Sequence, residues 1–127
     1  MTRTFVRHLR DASFTPGRSP SYAYRDLGIG EATGGAYQAR VIRSMDGMRE
    51  DHWHTHPEPY AISYYLKGWL EVDFEEYGRC RIETGDIIQT CNAPPHREAS
   101  CGGGLEILYI QSAASLRPGA NRSAERW

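Results

Sequence analysis

The chain has no apolar run approaching the ~20 residues that span a bilayer. Its first residues, "MTRTFVRHLRDASFTPG", lack the apolar core of a secretory signal. It has no excess of charge of either sign: 15 Lys and Arg against 16 Asp and Glu leave a formal net charge of -1. Nucleic acids and anionic membrane surfaces demand a concentrated positive field, so neither is an expected partner. Arginines alternate with acids, as in "RSMDGMREDH", in the manner of a solvated surface. Cysteine is scarce and badly spaced for metal. Cys80, Cys91 and Cys101 form no C-x-x-C pair, so free thiols in a reducing cytoplasm are expected rather than a disulfide framework or a cysteine-zinc site. There is no internal repeat, no interdomain linker and no amphipathic helical period. A length of 127 residues suits one domain over residues 1–127.

What the chain does have is punctuation. Its 13 glycines and 7 prolines separate short runs of β-branched and aromatic residues. "AYQARVI" (36–42) and "YAISYYL" (60–66) read as strands. "WLEVDF" (69–74) alternates Leu70, Val72 and Phe74 against Glu71 and Asp73, one face buried and one wet. "EEYGR" turns the chain, "CRIE" returns, "TGD" turns again into "IIQT", and "LEILYIQ" (105–111) follows a Gly102-Gly103-Gly104 loop. Such strands predict an all-β sandwich or barrel. The core is placed at about 36–111, with an N-terminal arm and a C-terminal tail at roughly 1–20 and 113–127.

Three of the five histidines, His52, His54 and His56, stand two residues apart in "HWHTHPEPYAISYYLKG". Along a strand, alternate side chains share a face about 6–7 Å apart, near enough for two imidazoles to converge on one metal ion. A further ligand must come from elsewhere. His96 follows Pro94 and Pro95, whose fixed φ stiffens the backbone leading to it.

The order of these segments resembles the cupin superfamily, and more narrowly its small single-domain type-2 members, many without an assigned reaction. The first cupin motif, a glycine, paired histidines, a glutamate and a closing glycine, resembles "GMREDHWHTHPEPYAISYYLKG" (47–68). The other cupin motif is similar to "GDIIQTCNAPPHREAS" (85–100). The resemblance covers roughly 36–111 and implies a jelly-roll β-barrel. Two registers are open for the paired histidines, His52/His54 or His54/His56, and the distance to Gly68 favours the latter. The resemblance then implies that His54, His56 and His96 hold a divalent transition metal (Fe, Zn, Ni or Mn), with His52 as an extra or alternate ligand.

Several positions depart from the family pattern. Its glutamate falls at Ala61, which has no ligand atom, and its asparagine at Ser100. Glu58 is a candidate substitute, although Pro57 and Pro59 flank it. A site of three neutral imidazoles leaves the ion its full charge, making it a strong Lewis acid with open positions. Sites of that kind occur in cupin dioxygenases acting on thiols and β-dicarbonyl compounds. The implied function is a small-molecule metalloenzyme: an iron-dependent dioxygenase on a small organic acid, thiol or diketone, or an isomerase or lyase. The alternative is a non-catalytic ligand-binding or metal-free cupin. If Ala61 faces the pocket, so do Ser63 and Tyr65, and Tyr65 is the candidate to hydrogen-bond a substrate. Ile62, Tyr64 and Leu66 then face outward, and so apolar a face points to a homodimer.

Overall fold

The computed structural model describes residues 4–17, 20–47, 52–55, 60–90 and 94–113. Their strands are β1 (Thr15–Pro16), β2 (Tyr22–Asp26), β3 (Tyr37–Ser44), β4 (Ala61–Phe74), β5 (Gly78–Glu83), β6 (Ile87–Thr90) and β7 (His96–Ser112). A single turn of helix, α1 (Ile29–Ala32), links β2 to β3. All strands pair antiparallel in the order β1-β2-β3-β7-β4-β5, with β6 also on β4.

The sheet folds over on itself because its two longest strands change partners halfway. Residues 61–64 of β4 pair with β6 and with the end of β7, whereas residues 69–74 pair with β5 and with the start of β7. Gly68 marks the switch on β4, and the run Gly102–Gly104 marks it on β7. Sequence punctuation suggested a break between two strands at Gly68 and a loop at Gly102–Gly104. Both are instead corners inside continuous strands, lying against each other. A Cβ on Gly68 would come within 2.5 Å of the Gly102 carbonyl oxygen, and φ there is +79°, so only glycine fits.

The β4 corner also shifts the inward parity. On β4 the buried positions pass from Ala61 and Tyr65 to Leu70 and Val72. On β7 a bulge at Ala99, where Val72 faces Glu98 but Glu71 faces Ser100, turns the inward set from His96 and Glu98 to Cys101, Leu105 and Ile107. The core between the two layers is built from Tyr22, Tyr65, Leu70, Val72, Ile82, Leu105 and Ile107. As expected from the alternation of "WLEVDF", Leu70 and Val72 are buried. Asp73, expected to be wet, is covered: Arg79 and Arg97 donate three hydrogen bonds of 2.7–3.0 Å to its carboxylate.

The expected arm is partly sheet, since β1 and β2 extend the first layer before residue 36. The tail beyond residue 113, and Cys91, lie outside the described residues. Cys80 and Cys101 are free thiols. Among the described residues no helix is long and apolar enough to cross a membrane.

Candidate metal centre

One end of the second layer gathers three ligand-bearing side chains. His54 enters as a lone bridge on β7: its N–H donates to the His96 carbonyl and the His96 N–H donates to the His54 carbonyl, both at 2.9 Å. This reciprocal pairing sets the imidazoles edge to face, with centroids 4.5 Å apart. His96 Nδ1 lies 2.9 Å from the Pro94 carbonyl oxygen. A carbonyl only accepts, so Nδ1 carries the proton and Nε2 presents its lone pair, the arrangement that orients a ligating histidine. The stiff Pro94-Pro95 lead-in thus orients the ring as well as the backbone.

Glu98 completes the group. It stands two residues after His96 on the same face of β7, ahead of the bulge. Its Oε1 is 3.3 Å from His54 Nε2 and its Oε2 is 3.4 Å from His96 Nε2. The three ligand atoms all fall within 4.8 Å of one another. Donors held at ~2.1 Å on neighbouring corners of one ion stand roughly 3 Å apart, so the two spacings from Glu98 fit a shared ion. Two imidazoles and one carboxylate form a donor set that suits first-row divalent metals. The Phe74 ring, 6.0 Å from that of His96, shields one side.

The sequence-predicted residues are distributed as follows. His54 and His96 come together. His52 is exposed, its ring centroid 5.6 Å from that of His54, and it stands outside the three-residue group. His56 and Glu58 lie outside the described residues. Ala61 is buried on the same face of β4 as Ser63 and Tyr65, paired with Thr90 and Gln111. A site of imidazoles alone was expected, but a carboxylate stands among them, contributed by β7 instead of β4. The signal was present as "HRE": an acid two residues beyond a histidine shares its face in a strand. Ser100, at the position of the family's asparagine, is turned away by the bulge, its hydroxyl 3.4 Å from Glu71.

His96 and Glu98 of the group form part of the wall of a cavity of about 390 Å³ between the layers, within the range of small-molecule sites. Tyr65 and Ser63 line it too. Burial, reinforced by the negative charge of Glu98, pushes the Tyr65 hydroxyl well above the ordinary tyrosine range. It therefore stays protonated, a hydrogen-bond donor and not a base.

No protein-family model and no curated protein matches the chain. Solved structures do match. An RmlC-like cupin from Shewanella frigidimarina aligns with a TM-score of 0.67 at 15% identity, over 88% of this chain and 93% of the other. KdgF from Halomonas sp. aligns with a TM-score of 0.66 at 16% identity, over 83% and 91%. The polyketide cyclase RemF from Streptomyces resistomycificus aligns with a TM-score of 0.73 at 16% identity, over 87% and 80%. Likeness at such low identity defines the fold alone. The chain has the cupin fold, an all-β jelly-roll barrel. Enzymes are among the structures that share this fold.

Proposed function

We propose that this cupin is a divalent-metal enzyme acting on a small organic molecule, with His54, His96 and Glu98 as ligands. The observation that carries the reading is the convergence of two imidazole nitrogens and one carboxylate, two of the three residues on the wall of a cavity of ligand size and His96 already oriented. A cupin that had lost its metal would have no need to hold these three groups together. His56, which the sequence motif assigns to the same ion, is proposed as a fourth ligand on that ground alone. His52 is proposed as an outlying group without a ligand's role.

The bound ion supplies Lewis acidity and open coordination positions, with its charge moderated by one carboxylate. The chain's own residues do the rest. The Pro94 carbonyl holds His96 in the ligating tautomer. Tyr65 keeps its proton in the cavity and donates a hydrogen bond to substrate. Phe74, Val72 and Ile107 exclude water from the same space. Histidines and one carboxylate, with positions left open, form a donor set suited to iron, so oxygenation of a small organic acid or diketone is the first reaction to test. An isomerase, lyase or cyclase step using the ion to polarise a carbonyl is the second. A binding module without chemistry would need the cavity but not the converging ligands. Elemental analysis of untagged protein, followed by oxygen-uptake screening of the iron form, tests the reading. The expected result is about one transition-metal ion per chain and substrate-dependent oxygen uptake. Metal without uptake favours the second reaction type, and protein that neither retains nor takes up metal contradicts both.

A further inference from the structure

Facing the cluster across the cavity is a row of inward side chains on the first layer. Arg40 of β3 pairs with Tyr109 of β7, which pairs in turn with Ser63 of β4, and all three line the cavity. Arginine remains charged under all ordinary conditions, and a donor of its fork that is lifted from water requires a hydrogen-bond acceptor. The Arg40 Nε is buried and has no hydrogen-bond partner among the described residues. Among the described residues no carboxylate forms an ion pair with Arg40. Asp26, its cross-strand partner on β2, accepts the Gly28 N–H at 2.8 Å, and Glu98 is held between His54 and His96.

The guanidinium is held in a fixed pose. Its central carbon lies 4.3 Å from the centroid of the Tyr24 ring and 5.3 Å from that of Tyr109. Tyr24, Arg40 and Tyr109 also line a smaller outer hollow of about 260 Å³, so the group stands where the two spaces meet. A planar cationic fork, steadied by two aromatic rings and with its Nε–H unsatisfied, matches the geometry of a carboxylate.

We infer that Arg40, positioned by Tyr24 and Tyr109, is a carboxylate-recognition site, and that the cavity takes a small organic acid tail-first, its other end directed toward the His54–His96–Glu98 cluster. A cavity of about 390 Å³ has room for an acid of about three to six carbons. The part of this inference that concerns the far end rests on the metal reading above. The carboxylate site itself does not.

The test is calorimetric titration with propionate, butyrate, valerate and hexanoate, and with their matched primary amides, on zinc-loaded and on chelator-treated protein. At least one acid should bind, its amide at least tenfold more weakly. Arg40→Gln should weaken that acid tenfold or more with zinc content unchanged. Arg40→Lys, which keeps the charge but loses the fork, should recover only part of the affinity, and it serves alone if the glutamine variant fails to fold. Acid binding that persists after chelation and is lost in Arg40→Gln supports the site even if the metal reading fails. Acid binding lost on chelation and indifferent to Arg40 places the carboxylate on the ion and overturns the inference. So do equal affinities for acid and amide, or no binding by any of the acids.

Discussion

Single side chains carry the chemistry here, and Tyr65 shows how environment assigns a role. It is 2% exposed, and its burial together with the charge of Glu98 keeps the hydroxyl protonated. A phenol in that state donates a hydrogen bond but takes no proton. Tyr65→Phe should therefore lower kcat about tenfold to a hundredfold and leave metal content unchanged, as measured by steady-state kinetics beside elemental analysis. Loss of metal in that variant would assign Tyr65 to the packing of the site. Glu98 was the residue hardest to find in the sequence. The family pattern directs attention to position 61, and alanine there suggests loss of the carboxylate. For a carboxylate to reach the proposed ion, an alternate position on the strand of His96 serves equally well.

At the scale of elements, the corners decide how the layers meet. Gly68→Ala would place a methyl group against the β7 backbone at a φ of +79°. The strained conformation alone costs about 1–3 kcal/mol, so the urea midpoint should fall clearly. An unchanged midpoint would mean that the corner is not required. The clasp on Asp73 predicts acid behaviour. Hydrogen bonds from Arg79, then from Arg97, lower its carboxyl from the ordinary 3.8 to about 2. A depressed folded-state value stabilises the protein above the unfolded value, and that contribution is lost as pH falls through about 4 toward about 2. Denaturation midpoints measured from pH 5 to pH 2 should drop less steeply in Asp73→Asn than in the parent. Equal slopes would remove Asp73 from the account. Strand positions from Tyr37 to Thr90 were legible in the sequence because alternation and turn residues report local geometry. The corners were not, because glycine signals a turn and a sharp bend alike, and only the partner strand distinguishes them. β2 escaped notice because "YAYRD" alternates weakly, all but its first residue being partly exposed.

For the whole molecule, the outward face of the first layer carries an apolar row. Val41, Leu108, Tyr64 and Ile87 align in one row across four strands. Tyr64 is 43% exposed and Ile87 61% exposed, with Leu66 beside them at 42%. A second copy related by two-fold symmetry would cover this surface, and we expect a homodimer on that ground. Light scattering at micromolar concentration should give twice the chain mass, and Tyr64→Arg with Leu66→Arg should halve it. A monomeric parent would leave this face for another role.

The central claim is that His54, His96 and Glu98 together hold an ion. It is tested most directly by zinc affinity, from chelator competition, in the parent, Glu98→Gln and His52→Ala. Glutamine preserves the shape of Glu98 and removes its charge, so the account predicts affinity at least tenfold below the parent in Glu98→Gln and parent-like affinity in His52→Ala. Parent-like affinity in Glu98→Gln, with His52→Ala stripped of zinc, would contradict it.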